Sequence, residues 1–325
     1  MGMGKTGSSA LQVAFVRNRD SLIRADVNYP VHKTDGRASQ GKVVSGNGMG
    51  VVEAIAPRQN DVAEAHLALQ AIDLEVARGA STTLYSSELL FSFSKDSIET
   101  LLRRMEAVGV ELQAVIYVRN MAGHAVSSYA QAVKRRLYTG TFRDYIDRDR
   151  EGPYRPSIGR KLQFLHRNLG ESLRVVHYDS VRDQLVGHFF SEILGADLSD
   201  QERTNVAERI NRSLTRDEVE LMRHVNTLIT GKKLAHVVGD LVIEQPPLGE
   251  RRLSISTPEL KMLDDAYGSD FEWINSTFFP ATRPLSVESG DVSVLDSDDP
   301  EVPLTDRERF LIGCLADLVR REALG

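Results

Sequence analysis

Apolar side chains recur at helical spacing along much of the chain, and short apolar runs separate the helical stretches. Leu11, Val13, Ala14, Phe15, Val16, Leu22 and Ile23 are apolar, while Gln12, Arg17, Arg19 and Arg24 are polar, which predicts a helix over 11–24. Val62, Ala65, Leu69, Ile72 and Val76 share one face of a second helix over 61–78. Residues 95–108 form an amphipathic helix with Gly109 as its stop signal, and residues 123–137 read as helix again. Between these lie runs of strand character. Residues 26–30 are extended because Pro30 disfavours helix at Tyr29, and 81–86 (STTLYS) is short and β-rich. Residues 112–118 (LQAVIYV) and 173–177 (LRVVH) are near-continuous apolar runs, as strands buried on both faces should be. A helix over 181–194 follows the second run.

The alternation of strand and helix predicts an α/β protein with a central parallel sheet and right-handed crossovers, a three-layer arrangement. After Gly195 the pattern turns helical, with helices expected over 200–210, 215–228 and 258–267. The expected organisation is one α/β domain over 1–285, its helical elaboration covering about 195–285, then an acidic linker over 286–303. A terminal amphipathic helix over 304–325 carries Phe310, Leu311, Leu315, Leu318 and Val319 on its apolar side. Residues 32–50 are polar and glycine-rich and read as a long loop, with room for a short strand at 42–44. Long loops inside compact domains are often functional.

The most informative stretch is the beginning. Gly2, Gly4 and Gly7 surround Lys5, and hydroxyls follow at Thr6, Ser8 and Ser9, directly before the first helix. A glycine-rich loop opening a helix cradles phosphate: glycines let backbone N–H groups approach the anion, the helix N-terminus is partly positive, and lysine adds a full charge. The bland alternative is an unstructured glycine-rich start. Loops of this P-loop type follow a buried strand. Only Met1 and a few residues precede Lys5, so the expectation is that the first strand is missing, through a late start or a truncation. No apolar run follows the first residues, so they do not read as a signal peptide.

Composition narrows the field. With 325 residues and 41% hydrophobic side chains, the chain can bury a large core. No window approaches ~18 consecutive apolar residues, so no membrane span is expected. Cys314 is the sole cysteine, which excludes an internal disulfide and fits a reducing, cytoplasmic compartment. With no second cysteine and no tight His/Asp cluster, no metal site is expected. The net charge of −6 argues against general nucleic-acid binding, but leaves room for a local basic pocket.

Two further constellations carry chemistry. Arg119 falls at the carboxyl end of the 112–118 strand, the edge where open α/β sheets bind ligands, and Ser127 follows eight residues later. An arginine fork with a serine hydroxyl receives a terminal phosphate well; a strand-end ion pair and a surface serine are the other readings. Glu88 follows the 81–86 strand and would stand at the same edge as a general base for an acceptor hydroxyl. The alternative is a carboxylate at a helix N-terminus. His32, in the long loop, is the other candidate base.

Together these residues resemble the sulfotransferases that use 3′-phosphoadenosine 5′-phosphosulfate, and more narrowly a bacterial branch whose loop reads Lys-Thr-Gly-Thr/Ser-Thr/Ser. The likeness runs from Gly2 to about Pro284. It implies that Gly4, Lys5, Thr6, Gly7, Ser8 and Ser9 hold the 5′-phosphosulfate, with Lys5 also catalytic, and that Arg119 and Ser127 hold the 3′-phosphate. Residues 128–134 (SYAQAVK) resemble a Tyr-x-Gln-x-x-Lys stretch of that branch. Val176-His177-Tyr178-Asp179 resembles a strand-end Tyr-Glu-Asp element, and Trp273, Asn275, Phe278 and Phe279 a closing aromatic segment. Where cytosolic relatives carry a Lys-Thr-His base, this chain has Ser86-Ser87-Glu88, which keeps Glu88 and His32 as candidates. Gly231-Lys232-Lys233 and Arg251-Arg252 only loosely replace an Arg-Lys-Gly segment. The implied activity moves a sulfuryl group to a hydroxyl or amine of an acceptor, a carbohydrate or small molecule, without a metal. A P-loop kinase, using the Gly4-Lys5-Thr6 end of its motif, and a non-catalytic nucleotide-binding relative are the alternatives.

Overall fold

The structure, a computed structural model, describes residues 5–40, 44–56, 69–70, 72–75, 79–151, 158–199, 212–229, 231–279, 283–288, 290–297, 305, 308–309 and 312–313. Gly4, the 42–43 part of the short strand expected at 42–44, most of the helix expected over 61–78, the helix expected over 200–210 and most of the terminal helix lie outside them.

Among the described residues the helices, in chain order, are α1 (Ser8–Arg17), α2 (Arg19–Arg24), α3 (Asp35–Ser39), α4 (Met49–Ile55), α5 (Lys95–Ala107), α6 (Met121–Arg136) and α7 (Phe142–Glu151). They continue with α8 (Ile158–Leu169), α9 (Tyr178–Val181), α10 (Leu185–His188), α11 (Arg216–Leu228), α12 (Lys232–Glu244) and α13 (Thr257–Phe278). The strands are β1 (Val27–Asn28), β2 (Thr82–Thr83), β3 (Ala114–Val118), β4 (Leu173–His177), β5 (Ile255–Ser256) and β6 (Val294–Leu295). The protein is thus mixed α/β and mostly helical, with short parallel strands. In place of the one central sheet expected, the described strands form three separate parallel pairs, β1–β2, β3–β4 and β5–β6.

The chain divides into two compact units, one of residues 1–119 and 161–210, the other of residues 120–160 and 211–325. In the first unit Phe15 of α1 anchors the core, its ring 5.2 Å from Tyr29 and 5.0 Å from Phe189. Leu11, Leu22, Val27, Tyr117 and Phe190 close around it. The long first helix expected from the pattern breaks at Asn18, which caps the end of α1 by donating its N–H to Ala14 O and accepts at its own carbonyl from Leu22. The break lies in the backbone of Asn18, at φ −110° and ψ 33°, and its side chain makes no capping bond. The 81–86 strand shrinks to two residues for a visible reason. The Asn47 amide donates to Leu84 O at 2.9 Å and accepts from the Ser86 N–H at 2.8 Å, removing those groups from any ladder. β3 and β4 pair over their full lengths, from Ala114↔Leu173 to Val118↔His177. After β4 the expected single helix is instead a series of short turns: α9, a 3₁₀ turn, α10 and a π-helical turn at Phe189–Ile193.

In the second unit α6 packs against α7, α11, α12 and α13. Tyr129 lies at the centre, 5.3 Å from Phe142 and 5.7 Å from Tyr145, over Val133, Val219 and Met222. Gly239 of α12 lets that helix approach α6, since a Cβ there would stand 2.7 Å from Lys134 O. The acidic stretch is tied down where it is described. Ser286 O and Val287 O accept from Met121 N and Ala122 N at the start of α6, and Val294–Leu295 pairs with β5.

Candidate functional site

The phosphate-loop residues open α1 with an unusual backbone. Lys5 and Gly7 both take left-handed conformations, φ 67° and 73°. For glycine this is free, but for a lysine it costs about 1–2 kcal/mol. Gly7 is required for space as well: a Cβ there would lie 2.3 Å from Leu185 Cδ2 and 3.3 Å from Tyr178 Cε2. Gly7 is the N-cap of the ten-residue α1 and offers no side-chain cap. Thr6 is buried, and Lys5, Ser8 and Ser9 are half-buried. A left-handed turn at a helix start, where amides and the helix dipole favour negative charge, suits an anion.

The parallel register of β3 and β4 brings their carboxyl ends to the same edge of the first unit. Arg119 follows β3 there, only 6% exposed. Its Nη1 donates to the Lys5 carbonyl at 3.1 Å, and its guanidinium lies over the Tyr178 ring, 5.4 Å from the centroid. Its Nη2 stands 3.7 Å from Asp179 Oδ1. His177 completes the group, with Nε2 3.6 Å from Asp179 Oδ2 and Nδ1 2.9 Å from Ser180 Oγ. Lys5, Gly7 and Arg119 therefore meet at one edge, and the strand-end ion pair read for Arg119 also exists. Tyr178 and Asp179 entered the sequence reading only through resemblance; the register of β3 against β4 explains why they matter.

The two candidate bases stand in different settings of the same unit. Glu88 is exposed at the first position of a 3₁₀ helix, Glu88–Ser92, whose cap is Ser87 Oγ accepting from Leu89 N. That is the helix-start placement read as its alternative role. His32 is half-buried, with Nδ1 2.8 Å from Thr34 Oγ1 and its backbone N–H donating to Asp35 at 3.1 Å. Burial, aided by Lys33, holds its pKa below the ordinary 6.5, so the ring is neutral at neutral pH. Sequence reasoning missed Asn47, whose amide straps the 46–48 turn to the segment leading to Glu88. The Gly46-Asn47-Gly48 run was the available signal. A Cβ on Gly46 would stand 2.1 Å from Ser86 O, so this strap too is glycine-dependent.

Ser127 belongs to the second unit, half-buried on α6. Its neighbour Ser128 helps line a cavity of about 80 Å³ in that unit, with Met121, His124, Tyr145, Leu263 and Tyr267. Among the described residues no group of three or more His, Cys, Asp or Glu side chains is placed to hold a metal ion. No described helix is long and apolar enough to cross a membrane. No protein-family model matches the chain, and no curated protein or solved structure shows significant similarity to it.

Proposed function

We propose that this chain is a sulfotransferase of the P-loop α/β class, moving the sulfuryl group of 3′-phosphoadenosine 5′-phosphosulfate to a hydroxyl or amine of a carbohydrate or small molecule. One observation carries the reading: the left-handed Lys5–Gly7 turn opening α1 stands beside Arg119 at the carboxyl end of β3, joined by a 3.1 Å hydrogen bond. In this reading the loop amides, Thr6, Ser8 and Ser9 hold the phosphosulfate. Arg119 holds the 3′-phosphate.

The acceptor oxygen or nitrogen attacks sulfur as the bond from sulfur to the bridging phosphate oxygen breaks. Negative charge grows on that oxygen, and the Lys5 ammonium stabilises it. The acceptor proton passes to Glu88 or to the neutral His32 imidazole, and adenosine 3′,5′-bisphosphate leaves. The test is transfer of labelled sulfate from the donor to a panel of hydroxyl and amine acceptors. Transfer by the wild type that falls at least about a hundredfold in Lys5→Ala supports the reading. Equal transfer by both proteins refutes the role of the loop.

A further inference from the structure

From the carboxyl end of β3, the Arg119 side chain reaches the backbone of the phosphate loop. Lys5 is a non-glycine residue at φ 67°, a conformation that its own local preferences resist. Such a backbone persists only where the surroundings hold it. Here the fixing group is a charged donor, Arg119 Nη1, on the Lys5 carbonyl itself at 3.1 Å. The guanidinium is in turn aimed by two neighbours from the end of β4. Asp179 Oδ1 lies 3.7 Å from Nη2, and the Tyr178 ring lies 5.4 Å from the guanidinium carbon. Tyr178 also stands 3.3 Å from where a Cβ on Gly7 would be, so one short segment backs both the arginine and the loop.

We propose that Arg119, positioned by Asp179, is a brace that sets the left-handed turn of the phosphate loop, in addition to any contact it makes with a ligand. The planar fork of arginine is what allows this, since it can serve a carbonyl and face a carboxylate at once. A lysine ammonium lacks that geometry. The consequence for a nucleotide rests on the sulfotransferase reading, whereas the brace itself does not. If Arg119 only received a 3′-phosphate, its loss would spare ligands that lack one. As a brace, its loss disorders the loop and weakens every ligand that the loop holds.

Hydrogen exchange of the ligand-free full chain tests the brace directly. In Arg119→Ala the amides of residues 5–9 should exchange about tenfold faster or more, the scale of one lost charge-assisted hydrogen bond. The amides of β4 should keep their protection, which separates loop loosening from unfolding. Arg119→Lys and Asp179→Asn, gentler changes, should give smaller increases in the same amides, with Asp179→Asn acting although it touches no loop atom directly. Calorimetry with two nucleotides adds a functional readout. Adenosine 5′-phosphosulfate, which lacks the 3′-phosphate, should bind about tenfold more weakly to Arg119→Ala. Unchanged exchange at residues 5–9 in Arg119→Ala and Asp179→Asn overturns the brace. So does undiminished affinity of Arg119→Ala for adenosine 5′-phosphosulfate. A wild type that binds neither nucleotide removes the sulfotransferase reading, and the exchange comparison alone then decides the brace.

Discussion

Gly7 shows how narrowly single residues are specified at the start of α1. Its φ of 73° and the 2.3 Å approach of Leu185 to a would-be Cβ both exclude a side chain. Gly7→Ala should therefore cost about 2 kcal/mol or more in urea unfolding, combining a left-handed penalty with overpacking. A variant as stable as the wild type would show that the turn relaxes freely. The bases can be separated by pH. His32 has its pKa lowered by burial first and Lys33 second, so its titration lies below pH 6.5. If it takes the acceptor proton, turnover falls only as pH drops through that lowered value, and His32→Ala is inactive. If Glu88 is the base, Glu88→Gln loses about 10²–10⁴-fold in turnover with donor binding intact. Full activity in Glu88→Gln alongside a dead His32→Ala makes His32 the base. His32 also contributes to stability: the unfolded chain gains its proton near pH 6.5 and the folded chain resists, so stability attributable to it falls as pH drops below 6.5. Most residues of this edge were legible in the sequence because glycines, lysine and strand-end arginine carry chemical meaning alone. The partnership of Arg119 with Asp179 was not, because it depends on strand register between segments far apart in the chain.

Elements were legible where periodicity was long and clean. α5 runs over Lys95–Ala107 with Ser94 as its cap, and α11 begins at a capping box built by Thr215 and Glu218, both close to the pattern-based expectation. α7 was missed because its sequence, FRDYIDRDRE, is mostly charged, and its few apolar residues pack into the Tyr129 cluster. The helix expected over 258–267 is shorter than α13. Burial of Phe271 and Ile274 carries α13 to Phe278 instead. Asn275 then ties its last turns to the chain beyond, donating to Leu285 O at 2.9 Å and accepting from Leu285 N at 2.7 Å. The α11 start also supplies a stability test. Burial pushes the Glu218 carboxyl up, but the Arg212 fork and the Leu248 and Thr215 amides outweigh it and hold the pKa below the usual range. Both Arg212 bonds to it are 2.7 Å, and the carboxylate is almost wholly buried. Glu218→Ala should cost about 3–5 kcal/mol, the scale of a broken buried pair. Because that pKa is depressed, the stabilisation is complete above the ordinary carboxylate pKa and is lost as pH falls through the lower folded value. A change below about 1 kcal/mol in chemical denaturation would show that the clasp is dispensable.

At the scale of the whole molecule, the alternation of strand and helix announced α/β architecture, and the described strands are indeed parallel. Their brevity was not legible. β1, β2, β5 and β6 have two residues each; after β2 the Asn47 amide takes backbone groups that a longer ladder would need, and β5 runs straight into α13. The split into two units was not legible either: the first unit returns at Lys161 after the excursion from Asn120 to Arg160 into the second. The central claim is that the Lys5 loop and Arg119 receive the phosphate groups of a sulfuryl donor. Calorimetric titration of the full chain with adenosine 3′,5′-bisphosphate in the presence of a metal chelator tests it most directly, with Lys5→Ala and magnesium-ATP as comparisons. The account predicts saturable, metal-independent binding by the wild type, weakened at least about tenfold in Lys5→Ala, and much weaker binding of magnesium-ATP. Tight magnesium-ATP binding with none of the bisphosphate would contradict it and point to a kinase.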